Sequence, residues 1–317
     1  MPDIIFHIGH GKTATTYLQK QIFPQVHALG NNSVTPGAVE LEDKIRQAVL
    51  ANPADIWKRD TGHDLARQID GMNSRTPILY SSEWLLQPPI WASPCYIAPP
   101  QNAEFAIAEH LAAFARHAWG NKGNVYALVT IRDQAKWLAS LYVQRSLFFE
   151  ASQADFERRV RAFLKRDDYT GWRFLDYHLL YQDLCAALGP DKVTFLAYED
   201  MHTPHYWQVL NNLLDAGFEM PQMTANDRAN VRRKDANTWQ LRQQEIQLHN
   251  KLPQYPRILR KVTKKTGNAM MKRLSDQHKY TITIPDALHE QIMAVYKESN
   301  HALAKHLKRD LSAYGYF

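Results

Sequence analysis

Four short apolar runs, each followed by a stretch with helical spacing, limit what this chain can fold into before any single residue is considered. The runs are DIIFHIG (3–9), PILYSSE (77–83), NVYALVTIRD (124–133) and KVTFLAYED (192–200). Each is rich in β-branched or aromatic residues and ends in polar ones, the pattern of a strand buried on both faces. Helical spacing fills 13–23, about 102–119, 134–148, 153–166, 171–188 and about 205–216. Strand followed by helix, repeated, predicts an α/β fold: a central parallel sheet flanked by helices. Right-handed crossovers then place the strand C-termini along one edge, where ligands of such sheets bind.

The rest of the chain is less regular. Residues 31–76 show only a helix at 38–50 with loops around it. Beyond residue 220 the composition turns polar and basic, with helical segments near 236–251 and 285–309. No second strand-rich domain, repeat or low-complexity linker is visible, so the 317 residues read as one domain, 1–317, with a helical C-terminal portion. No stretch approaches the roughly 20 apolar residues of a membrane span. The first residues enter a strand without a basic segment and apolar core of the secretory kind, and Cys95 and Cys185 make neither a disulfide framework nor a cysteine metal site. The expected setting is reduced and cytoplasmic.

The formal charge of +6 favours anionic ligands without naming one. Part of the excess lies in RILRKVTKKTGNAMMKR (257–273), which contains no acid. This run reads as a solvated basic face, or as a site for an anionic acceptor, a membrane surface or nucleic acid.

The first strand runs into GHGKTATT (9–16). Gly9 and Gly11 let the backbone turn sharply and approach a ligand. A helix starting near Thr13 aims free N–H groups and its positive dipole end at that ligand. Lys12 adds a full charge, and Thr13, Thr15 and Thr16 add hydroxyl donors. Such a density of donors suits phosphate or sulfate. The nucleotide motif G-x-x-x-x-G-K-[ST] fits only at its end, because its first glycine would fall on Phe6, inside the strand. A second anion site is suggested by Arg132, at the tip of the third strand, with Ser140 two helical turns later in IRDQAKWLASLYVQ. Two anion sites on adjacent strand tips imply a ligand with two separated phosphates.

In these segments the sequence resembles the sulfotransferases that use 3′-phosphoadenosine-5′-phosphosulfate (PAPS). HIGHGKTATTYLQ (7–19) is similar to their 5′-phosphosulfate loop, written H-I-G-x-x-K-T-G-T-T-x-L-Q in bacterial members, with Ala14 where the family has glycine. IRDQAKWLASLYVQ is similar to their 3′-phosphate element, and LYSSEWL (79–85), VTFLAYEDM (193–201) and ESNHALAKHL (298–307) follow in the family's order. NVRRKDANTWQLR (230–242) resembles their cofactor-covering loop, against the alternative of a solvated basic loop. The resemblance implies a P-loop-like three-layer fold and transfer of a sulfuryl group from PAPS to an acceptor hydroxyl or amine, without a metal. It assigns PAPS to Gly9, Gly11, Lys12, Thr13, Ala14, Thr15, Thr16, Arg132, Ser140, Arg232, Arg233 and Lys234.

Lys12 is then placed to follow charge onto the leaving oxygen. Glu83, an acid at the tip of an apolar run, reads as the general base, or as a glutamate that merely complements a helix dipole. The resemblance implies that a glutamate at this place tilts the acceptor towards a carbohydrate or glycolipid hydroxyl. His10 lies in the loop and reads as a catalytic contact to phosphate or acceptor, and His7 as a hydrogen-bonded core residue. Trp84, Trp137, Tyr142 and Trp172 flank the sites as stacking or packing residues. The acceptor site is expected to be formed by 31–76, 86–102 and the C-terminal helices. Two other functions remain open: a small-molecule kinase with Mg²⁺ on Asp133 or Glu83, and a non-catalytic module acting through 257–273.

Overall fold

The computed structural model describes residues 3–26, 28–30, 37–72, 77–86, 106–120, 123–145, 151–168, 171–220, 233–235, 237–241 and 280–317. Its centre is a parallel sheet of β1 (Ile4–His7), β2 (Leu29–Gly30), β3 (Ile78–Ser81), β4 (Val125–Ile131) and β5 (Val193–Ala197), in the order β2-β3-β1-β4-β5. The four apolar runs are its four longer strands. β1 pairs with β3 on one side and β4 on the other, His7 standing level with Ser81 and Leu128. The connections from β1 lead first to the β3 side and then across to β4, so the tip of β1 is the switch point where ligands of open α/β sheets bind.

Strand alternation sends side chains to two cores. Ile4, Phe6, Ile78, Tyr80, Ala127, Val129 and Phe195 join the larger one. Ile5, Leu79, Leu128 and Leu196 join a smaller one with Leu18, Ile22, Phe23, Tyr206 and Trp207. Both faces are therefore covered, as the continuous apolar runs require.

The chain after β1 forms one α turn, α1 (Thr15–Tyr17), continued as a π-helical turn at Leu18–Ile22. Then follow α2 (Ala38–Ala51), α3 (Asp60–Met72) and α4 (Ala106–Ala113), the last extended by a π-helical turn at Phe114–Trp119. The C-terminal half contains α5 (Gln134–Arg145), α6 (Ser152–Leu164), α7 (Tyr177–Leu188), α8 (Pro204–Leu214) and α9 (Asp286–Leu307). α2 ends within a residue of its expected boundary, and α9 lies inside the expected 285–309.

Three expectations are corrected. The helix of the opening motif begins at Thr15 rather than Thr13, because Ala14 is left-handed and stands outside it. The segment expected as a helix from 236 contains β7 (Thr238–Gln240), which pairs antiparallel with β6 (Arg233–Asp235) and β8 (Thr281–Thr283) in a second small sheet. Its anchor is Trp239, 2% exposed, whose burial outweighs the weak helical preference of the surrounding residues. Residues 60–72, read as loop, form α3.

One glycine within α3 has a packing reason. A Cβ on Gly62 would stand 2.5 Å from the carbonyl oxygen of Ile56 and 2.6 Å from the Cα of Trp57, both backbone atoms. Gly62→Ala, which raises helix propensity, is expected to destabilise the protein by about 1–3 kcal/mol through this overlap. Denaturant unfolding checks it, and a stabilised variant would contradict the packing assignment.

Candidate active site

β1 ends at His7, and the loop to Ala14 contains two left-handed residues that are not glycine: Lys12 (φ 73°) and Ala14 (φ 61°). A side chain crowds the following carbonyl there, at a cost of about 1–2 kcal/mol per residue. Ala14 is left-handed where a glycine would incur no such cost. Such strain persists only where neighbours over-determine the conformation.

They do so here. Thr13, 1% exposed, donates its hydroxyl to the carbonyl of His10 at 2.5 Å and meets the Thr130 hydroxyl at 2.7 Å. Arg132 Nη1 donates to the carbonyl of Lys12 at 3.0 Å, and Trp137 Nε1 to that of Gly11 at 2.6 Å. The loop is thus tied to β4 and α5 on one side. Gly9 is needed for the same tie, since a Cβ there would lie 2.0 Å from Thr130 Oγ1.

The first N–H groups of the helix lack intrahelical acceptors and form a donor-rich end. Around it Gly11, Lys12, Ala14 and Thr16 are partly open, while Thr13 and Thr15 are buried. The expectation that all three threonine hydroxyls serve an anion is therefore corrected. That of Thr13 is spent on the loop carbonyl, and that of Thr15 donates to Glu83 Oε2. Of the three threonines only Thr16 is partly exposed.

Glu83 opens a short 3₁₀ turn directly after β3, and the pairing of β3 with β1 brings its carboxylate against the loop. A Cβ on Gly11 would stand 3.5 Å from the same Oε2. A second carboxyl is close by. Glu42 on α2 accepts from the Ser82 hydroxyl at 2.6 Å. Burial pushes its carboxyl up, with Ser82 and Arg46 opposing and the charges of Asp43 and Glu83 adding to the rise. Glu42 sits in the segment least legible in the sequence, where only its place on an amphipathic helix could have signalled it.

On the other side of the loop, Arg132 stands at the tip of β4, its guanidinium 4.8 Å from the ring centre of Tyr198 and its carbonyl accepting from Tyr177 Oη at 2.8 Å. Arg132 Nε is buried without a partner. Ser140 lies on α5, 9% exposed. Asp133 Oδ1 accepts the backbone N–H of Lys136, the cap of α5. Arg232 lies outside the described residues. Arg233 and Lys234 belong to β6.

His10 departs from its expected role. It is fully buried among Trp137, Phe174 and Tyr177, with both ring nitrogens unpartnered, and so meets neither solvent nor acceptor. Trp137 and Tyr142 are likewise core residues, 0% and 1% exposed. The ties made by Thr130, Trp137 and Tyr177 were missed in the sequence. Each is a long-range contact with no local signature.

Burial pushes both His7 and His10 down to about 3. Unfolded imidazoles take up protons near 6.5, so below that pH the unfolded state binds more protons than the folded one. The stability from both groups is complete above pH 6.5 and is lost as pH falls towards 3. Glu42 works in the opposite sense, since its raised folded value loses stability as pH rises through it. Thermal melts from pH 7 to 4 should fall steeply for the wild type and less steeply for His10→Phe, which also removes the two unpartnered nitrogens. Parallel curves would contradict the assignment of His10 as a buried neutral ring.

Among the described residues no helix is long and apolar enough to cross a membrane, and no group of three or more His, Cys, Asp or Glu could hold a metal ion. No family model matches the sequence, and no curated protein matches it. Among solved structures, a sulfotransferase from Alicyclobacillus acidocaldarius is similar to this chain at 12% identity and a TM-score of 0.49, the match covering 99% of this chain and 98% of that one.

Proposed function

We infer that the chain is a sulfotransferase that moves a sulfuryl group from PAPS to an acceptor hydroxyl of a carbohydrate or glycolipid. The observation that carries this reading is the convergence of three groups at the β1 switch point. These are the strained donor loop with Lys12, Arg132 on the adjacent strand tip, and Glu83 against the loop from the opposite side.

The donor set fits the cofactor. Lys12, Thr16 and the helix-start amides suit a 5′-phosphosulfate, and Arg132, with its buried unpartnered Nε, suits a second phosphate one strand away. When bound, PAPS supplies the sulfuryl group and a phosphate as its leaving group. Lys12 supports this chemistry by placing a full positive charge where negative charge develops, an interaction stronger in the transition state than before it. Glu83 receives the acceptor's proton, and the Thr15 hydroxyl bonded to Oε2 holds that carboxylate in place. Arg132 has two tasks, binding phosphate through its charge and holding the Lys12 carbonyl.

This division of labour predicts different phenotypes. Lys12→Ala should cut turnover about 10²–10³-fold with little change in affinity for the product 3′,5′-adenosine bisphosphate. Arg132→Ala should chiefly weaken that affinity, and Glu83→Gln should lower turnover while leaving that affinity nearly unchanged. Steady-state kinetics with PAPS and a panel of sugar acceptors provide the check. Equal effects of Lys12→Ala and Arg132→Ala on affinity, with no separate loss of turnover, would contradict the reading.

A further inference from the structure

The last inward-facing residues of three strands on the smaller core face are polar: His7 of β1, Ser81 of β3 and Thr130 of β4. Strand alternation predicts apolar residues there, as at Ile5, Leu79 and Leu128. All three are buried, at 0%, 1% and 0% exposure. Gln19, on the π-helical turn above them, donates to Ser81 Oγ at 3.0 Å. His7 Nδ1 lies 2.8 Å from Ser81 Oγ, and His7 Nε2 lies 3.4 Å from Thr130 Oγ1. Thr130 Oγ1 in turn meets Thr13 Oγ1, which donates to the carbonyl of His10. A Cβ on Gly9 would also come within 3.2 Å of His7 Nε2, so the loop is cut back to make room for this row.

The hydroxyl and ring protons follow from one fixed end. A carbonyl can only accept, so the hydroxyl proton of Thr13 is committed to His10. Thr130 must then donate to Thr13, and its oxygen must accept from His7 Nε2–H. In a neutral ring Nδ1 is left with a lone pair, so Ser81 donates to it and accepts from Gln19. Each group is satisfied once, and every donor points towards the loop.

We propose that His7, held as its Nε2–H tautomer, is a positioning residue for the anion loop, locking Thr13 between the left-handed Lys12 and Ala14. The ordered row runs from the helix that follows the loop, through β3, β1 and β4, and back to the loop itself. It fixes both arms of the turn that presents Lys12. Its importance for ligand binding rests on the reading of this loop as the anion site.

Two experiments on the full chain test it. Long-range ¹H–¹⁵N spectra of the histidine rings, without ligand, should show His7 neutral with its proton on Nε2 from pH 8 to 5. A proton on Nδ1, or a His7 that titrates in this range, would overturn the proposal whatever the protein binds. For binding, Thr130→Val removes the relay hydroxyl at nearly constant volume, and Thr130→Ser retains it. Affinity for 3′,5′-adenosine bisphosphate should fall about tenfold in Thr130→Val, as expected for one lost hydrogen bond, and recover in Thr130→Ser. His7→Gln, which keeps an N–H near Nε2, should bind better than His7→Asn, which does not. Unchanged affinity in a folded Thr130→Val would overturn the positioning role. Failure of the wild type to bind the bisphosphate would instead overturn the sulfuryl-transfer reading, and the tautomer would still decide the hydrogen-bond row.

Discussion

The loop after β1 keeps an unfavourable backbone because two of its carbonyls and its one buried hydroxyl are engaged by Arg132, Trp137 and Thr130. Arg132 holds Lys12, Trp137 holds Gly11, and Thr130 with His10 holds Thr13. Two left-handed residues together cost about 2–4 kcal/mol, a sizeable fraction of the net stability of an ordinary domain. That cost is borne at the switch point of the sheet, and the loop's partly exposed Lys12 and Thr16, like the helix-start amides, are donors. A rigid cluster of donors matches an anion that must be held in one orientation.

The charges behind the loop fit the same picture. Asp133 and Glu199 flank Arg132, and burial pushes both carboxyls up, against the opposing pull of Lys136 and Arg132. The C-terminal residues hold this arrangement shut. Tyr316 Oη donates to Glu199 at 3.1 Å, Lys136 Nζ donates to the Tyr314 carbonyl at 2.5 Å, and Arg309 pairs with Asp200 at 2.6 Å.

What was legible in the sequence followed from local pattern. The four long strands, α5 and α9 came from apolar runs and spacing, and the loop, Arg132 and Glu83 from their places at strand ends. What was missed depends on distant partners. The strands β6, β7 and β8 have three residues each, too few for a period to register, and β8 joins them from some forty residues further along the chain. The inward-facing Thr13 and His10 could not be told from ligand-facing neighbours, since only the positions of Thr130, Trp137 and Phe174 decide it. The packing of Gly62 against the backbone of Ile56 and Trp57 likewise has no local signature. Lys264, Lys265, Lys272 and the rest of 257–273 lie outside the described residues, as does most of 86–102.

The most direct test of the central claim is calorimetric titration of the purified chain with 3′,5′-adenosine bisphosphate, set against ATP with and without Mg²⁺. A chain that uses PAPS should bind the bisphosphate more tightly, indifferent to a chelator. Tighter binding of ATP that depends on Mg²⁺ would contradict it and point to a kinase built on the same strand tips.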